Sequence, residues 1–274
     1  MTATLVNGIA TDDSSGAIAV DDRGLNYGDG LFETMLCQNG TVRLLDAHLQ
    51  RLTNGCARLG ITATDDALLR EEIRRVSADQ SGVVKIVITR GAGGRGYRPP
   101  ADLCTTRIVS LRALPAPSMR SGVNVRWCEM RLGRNAVLAG MKHLNRLEQV
   151  LAQREWTDPA IDPTIDEGFM RDTEGELVCA TMSNVFIVRR NEILTPDLRF
   201  CGVRGVMRGE VLRLAREQGI AAREMALWPQ DVDSADEIFI TNAVRGVRSV
   251  TSVGARHWAP GPITQVIAAG VNGR

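Results

Sequence analysis

Gly140-Met141-Lys142-His143-Leu144-Asn145-Arg146-Leu147-Glu148-Gln149-Val150-Leu151 is the stretch on which the reading of this chain turns. From Leu144 the apolar residues Leu144, Leu147, Val150 and Leu151 recur at helical spacing, which predicts an amphipathic helix to about Trp156. Lys142 stands just before it. A helix N-terminus carries partial positive charge, so a cation there is unfavourable and its pKa is driven down. An amine that attacks a carbonyl must be deprotonated, and this placement would favour that form. On charge alone, a solvated lysine at a helix start accounts for the same residues.

The run Gly-Met-Lys-His-Leu-Asn-Arg-Leu-Glu-Gln-Val resembles the lysine segment of the aminodeoxychorismate lyases, pyridoxal-phosphate (PLP) enzymes of fold type IV. D-amino-acid and branched-chain aminotransferases share that fold, but the residues after the lysine match the lyases. The resemblance extends from Asp22-Arg23-Gly24 through Thr241-Asn242-Ala243. It implies a two-domain α+β / α/β chain like D-amino-acid aminotransferase, with PLP between the domains. The N-terminal α+β domain would be the smaller, and the C-terminal domain would carry a mixed, barrel-like sheet. It also implies that Lys142 is the catalytic lysine and carries the cofactor.

Bulk properties narrow the alternatives. The 274 residues suffice for one large domain or two modest ones. A net charge of +1 gives no electrostatic footprint for nucleic acid or an anionic membrane. No apolar run approaches the roughly 20 residues that span a bilayer. The start, Met-Thr-Ala-Thr-Leu-Val-Asn-Gly, lacks the pattern of a signal peptide, so a cytoplasmic location is expected. The six cysteines show no Cys-x-x-Cys spacing and the three histidines are isolated, which argues for reduced thiols and against a metal site.

Residues 3–9 and 17–20 are short apolar runs that suit a hairpin. In Asp22-Arg23-Gly24-Leu25-Asn26-Tyr27-Gly28-Asp29-Gly30-Leu31-Phe32-Glu33-Thr34, glycines mark tight bends. The resemblance places this segment, Phe32 included, along one wall of the active site. Asp46 can cap a helix whose apolar face is Leu49, Leu52, Cys56 and Leu59, with His48 and Arg51 off that face. The resemblance gives Arg51 the cofactor phosphate, a task suited to a planar guanidinium. A second helix is predicted over 65–77 with Thr64 as its cap, then a buried strand over 83–89.

Gly91-Ala92-Gly93-Gly94-Arg95-Gly96 satisfies the spacing of a dinucleotide loop. Such a loop must open a helix, and Tyr97-Arg98-Pro99-Pro100 forbids one. Instead, the resemblance sets Arg95 and Tyr97 at the border of the substrate site. Prolines 115 and 117 stiffen a connection that suggests a domain 1–113, a linker 114–120 and a PLP-binding domain 121–274. Strands are expected near 105–112, 123–130, 167–171, 176–181, 184–189, 192–194 and 238–243. Gly202-Val203-Arg204-Gly205 precedes a helix whose first amides form an anion site. The resemblance gives the backbone of Val206 and Met207 to the cofactor phosphate, and adds Thr241 and Asn242.

The reaction implied is loss of pyruvate from 4-amino-4-deoxychorismate to give 4-aminobenzoate, in folate synthesis, by a homodimer. A D-amino-acid or branched-chain aminotransferase and a silent PLP-binding protein are the rival readings. One residue departs from the family. The glutamate that meets the pyridine nitrogen, five residues before the asparagine of a Ser-Asn-x-Phe run, is Cys179 here.

Overall fold

The computed structural model describes residues 4–11, 17–116, 121–156 and 164–272. It forms two compact units, Met1–Ala116 with Met141–Asn145, and Pro117–Gly140 with Arg146–Arg274. The linker expected at 114–120 meets the first change of unit, although residues 117–120 lie outside the described ones. A division into contiguous halves does not hold, because Lys142 and its neighbours belong to unit 1.

In unit 1 the elements are β1 (Thr4–Val6), β2 (Ile9–Thr11), α1 (Arg23–Tyr27), β3 (Gly30–Gln38), β4 (Thr41–Val42), α2 (Leu45–Leu59), α3 (Asp66–Ser77), β5 (Gly82–Thr89) and β6 (Thr106–Arg112). Six strands form one sheet in the order β2-β1-β6-β5-β3-β4. The β-branched run of β5 pairs antiparallel on both sides, with β3 and β6, and is buried except near Lys85, which is exposed. Leu49, Leu52 and Cys56 of α2 and Leu69, Ile73 and Val76 of α3 are buried.

Several local expectations are corrected. The hairpin pairs β1 with β2, and residues 17–20 form no strand. Its turn is Asn7-Gly8, both with positive φ (50° and 85°), the geometry that favours Asn-Gly. Asp65, not Thr64, caps α3, its carboxylate accepting the Leu68 N–H at 3.0 Å. Asp46 lies within the first turn of α2 and caps nothing. Asp22 is fully buried, caps α1 through the Gly24 N–H at 2.7 Å, and accepts from Thr89 (2.9 Å) and Thr106 (2.6 Å). The Asp-Arg-Gly segment is therefore bolted to β5 and β6.

Strand β4 pairs only with Cys37 and Gln38, which leaves the Gly30–Phe32 end of β3 open on that side. Met141–Asn145 fills it. The Phe32 N–H donates to Lys142 O and the Leu144 N–H to Gly30 O, both at 3.0 Å. A side chain at Gly30 would meet Ile88 O at 2.4 Å, so glycine is required for this close approach.

Unit 2 contains β7 (Val123–Leu132), α4 (Leu147–Arg154), β8 (Glu167–Asp172), β9 (Leu177–Ala180), β10 (Asn184–Arg189), β11 (Glu192–Pro196), α5 (Val206–Glu217), β12 (Ala222–Met225), α6 (Pro229–Asp233), β13 (Glu237–Asn242), β14 (Gly246–Val253), β15 (Arg256–His257) and α7 (Pro262–Asn272). Its nine-stranded sheet runs β12-β11-β10-β13-β14-β7-β8-β9, with β15 on β14. The sheet is mixed, since β11–β12, β7–β14 and β7–β8 are parallel and the other pairs antiparallel. Val125, Phe169, Leu177, Val185, Leu194, Ile240 and Val250, from seven strands, share one core, so the sheet curls around it. A second cluster, with Cys128, Met170, Val178 and Cys179, packs against Ala152 of α4 and against Trp156.

Helix α4 begins at Leu147 rather than Leu144. Leu147 and Val150 are 68% and 54% exposed, so the apolar spacing of this segment marks no core face in the single chain. Among the described residues no helix is long and apolar enough to cross a membrane.

Candidate active site

Strand β3 and helix α2 build the first half of the site. Glu33 is 1% exposed. Its carboxylate accepts from Arg51 Nε at 2.8 Å and Nη2 at 2.5 Å, and lies 2.7 Å from His48 Nδ1. His48 and Arg51 are three residues apart on α2, so both reach the same strand. His48 was expected off the apolar face of α2; it is buried instead, because Glu33 offers it a charged partner inside.

Burial pushes the Glu33 carboxyl up, but His48 and Arg51 outweigh it and hold it below the usual carboxylate range. Burial depresses the His48 imidazole, opposed by Glu33 and assisted by the charges of Arg51 and Lys142. A neutral ring beside a carboxylate donates its Nδ1–H to it. That leaves Nε2 buried and without a hydrogen-bond partner among the described residues.

Lys142 lies in the same unit, with Nζ 4.1 Å from the centroid of the Phe32 ring. The helix-end field invoked from sequence does not act on it. Helix α4 starts five residues later, and that field fades within one turn. What fixes Lys142 is the backbone pairing with β3. The same pairing sets the Phe32 ring beside the Lys142 amine.

Arg95 and Tyr97 are on an exposed loop, Tyr97 packing edge-to-face on Tyr27 at 5.7 Å. Arg23 holds that loop from beneath, donating to Gly96 O (3.0 Å) and Tyr97 O (2.8 Å). Arg23 and Arg90 also share Asp29, at 3.1 and 2.7 Å. Burial raises the Asp29 carboxyl, and the Arg90 and Arg23 guanidiniums more than reverse the shift.

In unit 2, α5 begins at Val206 with Gly205 as N-cap and no side chain capping it. The Val206 and Met207 amides therefore head the helix, as the sequence predicts for an anion site. Thr241 and Asn242 end β13, and their side chains bond around the turn that follows. The Thr241 hydroxyl donates to Gly246 O at 2.9 Å. Asn242 Oδ1 accepts from Val244 and Arg245 N–H, at 3.1 and 2.8 Å, and its Nδ2 donates to Ser183 Oγ at 3.1 Å. Both side chains close the β13–β14 turn, and neither is held out toward an anion.

Cys179 is buried among apolar side chains, and burial, opposed by Arg146, drives its thiol far up, so it is neutral. Glu176 does not replace the missing carboxylate; it pairs with Arg134 at 3.2 Å and Arg199 at 3.5 Å. Glu167 is a buried carboxylate the sequence reading missed. It accepts from Ser183 Oγ (2.6 Å), Thr181 Oγ1 (2.9 Å) and the Met182 N–H (3.0 Å), while burial pushes its pKa up against these donors. By strand alternation Glu167 shares the face of Phe169, and Cys179 that of its partner Met170, so the two lie on opposite faces. Glu33, His48, Glu167 and Asn184 were all missed. The available signal was a polar residue set between apolar ones in a strand or on a helix's inner face.

Unit 1 offers a lysine on a packed backbone and a preset guanidinium, and unit 2 by itself offers helix amides that no side chain caps. Residues 30–253 match the model of the Amino-transferase class IV family. The chain is 33% identical over 243 residues to an aminodeoxychorismate lyase of Vibrio harveyi, covering 87% of this chain and 88% of the relative. It is 31% identical to a putative branched-chain-amino-acid aminotransferase of Methanocaldococcus jannaschii, over 92% and 88% of the two chains. The crystal structure of 4-amino-4-deoxychorismate lyase from Pseudomonas aeruginosa matches with a TM-score of 0.92 at 40% identity, covering 98% of both chains. The chain belongs to the Amino-transferase class IV family.

Proposed function

We propose that this chain is a PLP-dependent lyase that converts 4-amino-4-deoxychorismate to 4-aminobenzoate and pyruvate in folate synthesis, as a cytoplasmic homodimer. The observation that carries this reading is the end-to-end likeness to the Pseudomonas lyase, at higher identity than the aminotransferases matched with it. The residues fit the cofactor. Lys142 is positioned by the backbone pairing of its segment with β3, and its amine lies beside the Phe32 ring. Arg51 is preset by Glu33, and the α5 amides are left uncapped by any side chain.

Bound PLP would supply the electron sink for this reaction. The chain's own residues supply position and proton traffic. Lys142 removes the ring proton beside the substrate amine. The C–O bond then breaks, and a proton delivered to the enolpyruvyl methylene by Lys142 or an associated water releases pyruvate. In unit 1 Arg51 would hold the phosphate through its guanidinium, and in unit 2 the Val206 and Met207 amides are suited to an oxyanion. Phe32 forms the apolar wall beside the amine.

Incubation with aminodeoxychorismate tests the proposal: 4-aminobenzoate and pyruvate in equal amounts support it. A keto acid formed from D- or L-alanine without 4-aminobenzoate would make the chain an aminotransferase, a reading supported by the likeness to the Methanocaldococcus relative. No turnover of either substrate would leave a silent binder. Sedimentation at the mass of two chains tests the dimer.

A further inference from the structure

Asn184 opens β10 and is 8% exposed. Its side-chain amide meets the chain just before α5 twice. Asn184 Nδ2 donates to Val203 O at 2.8 Å, and Asn184 Oδ1 accepts the Gly205 N–H at 3.1 Å. One planar amide thus grips a donor and an acceptor two residues apart, as a neighbouring strand would. The N–H it takes is that of the N-cap residue itself, so the Val206 and Met207 amides remain to head the helix. The fit allows no side chain at position 205, where a Cβ would come within 2.1 Å of Asn184 Oδ1.

A second fastening holds the same turn. Arg208 is 3% exposed, donates through Nη2 to Pro196 O at 2.7 Å and pairs with Glu224 at 2.9 Å. Its Nε is buried with no hydrogen-bond partner among the described residues, an unsatisfied donor in the first turn of a helix that offers amides to an anion.

We propose that Asn184 is the positioning residue for the phosphate end of the cofactor: its amide clasps Val203 and Gly205 so that the first amides of α5 converge on an oxyanion. The inference rests on the cofactor reading above and deepens it. Backbone amides bind an oxyanion well only if their directions are fixed beforehand, since reorientation on binding would consume the gain. Asn184 does not touch the reacting atoms. It acts through the backbone of 203–205.

The test compares PLP with pyridoxal, which lacks the phosphate, in equilibrium binding to the full-length apo protein. Asn184→Ala removes the clasp, and Gly205→Ala forces it open from the other side without backbone strain, since Gly205 has φ −61°. Both variants are expected to lose roughly tenfold or more in PLP affinity, a loss of one to two hydrogen bonds, with pyridoxal affinity within about twofold of wild type. A parallel loss for both aldehydes would show a general structural role and overturn the proposal, as would unchanged PLP affinity in a folded variant. If one variant fails to fold, the other decides. A wild-type chain that takes up neither aldehyde overturns the cofactor reading, and the clasp with it.

Discussion

Glu33 Oε2 lies 2.5 Å from Arg51 Nη2 and 2.7 Å from His48 Nδ1, so a single buried carboxylate fixes two side chains of α2. Arg51 is presented in one orientation before any ligand arrives. Glu33→Gln keeps the shape but removes the charge. The variant should lose about 3 kcal/mol of stability, the scale for breaking a buried pair from one side. PLP affinity should fall roughly tenfold as Arg51 loses its tether. Chemical denaturation and cofactor titration measure the two effects; stability within about 0.5 kcal/mol of wild type would refute the buried-pair account.

Arg51→Ala should act on the same pair from the other side. It removes a phosphate donor, expected to cost about 10–150-fold in PLP affinity. It also leaves the buried Glu33 with His48 as its one side-chain partner among the described residues, so the cofactor-free protein should melt lower. Calorimetry on the apo protein checks this, and an unchanged melting temperature with unchanged affinity would return Arg51 to the surface.

The same cluster sets an acid limit. The folded Glu33 carboxyl is depressed, so its contribution is present above the unfolded value and fades as pH falls through the folded one. His48 is also depressed when folded, so below about 6.5 the unfolded chain binds a proton that the folded chain refuses. Both signs agree: stability falls on acidification. His48→Gln should flatten the part of the profile below about pH 6.5, read by denaturant melts at each pH.

Much of the fold was legible because apolar periodicity dictates it. Strands β7 to β11 and β13 and helices α3 and α5 fall where the pattern puts them, whereas β12, β14 and β15 were not read from the sequence. The lysine segment was misread for the converse reason. Leu144 looks like the start of a helix, but it pairs with Gly30 of a strand more than a hundred residues earlier, a contact no local pattern encodes. His48 was misplaced because a polar residue on an inner face reads as surface until its partner, Glu33, is known. Thr241 and Asn242 lie in the predicted strand, and their side chains bond around the turn after it.

Lys142 carries a direct chemical prediction. Reduction of the PLP-loaded protein with borohydride should fix the cofactor on the peptide containing Lys142. The alternative target is Lys85, the only other lysine, whose Nζ stands 5.7 Å from the same Phe32 ring. Lys142→Ala should fold normally, because the backbone of Lys142, not its side chain, pairs with β3. Label on Lys85 would overturn the assignment.

Cys179 bears on which reaction the fold performs. A carboxylate facing a pyridine nitrogen favours its protonated form, whereas a neutral thiol can only hydrogen-bond weakly. Here burial keeps the thiol neutral against the opposing charge of Arg146, and neither Glu167 nor Glu176 takes its place. The electron sink should therefore be weaker than in a glutamate-bearing relative. A transaminase needs that sink to hold a carbanion until it is reprotonated on the cofactor. The lyase reaction ends in an aromatic ring, and that driving force relaxes the demand. Cys179→Glu should then raise half-transamination of alanine by a larger factor than it changes lyase turnover. The new carboxylate would sit beside Arg146, which offsets part of its burial cost. The comparison needs both rates on one preparation, with PLP occupancy measured. Equal rises in the two reactions would mean that Cys179 does not select between them.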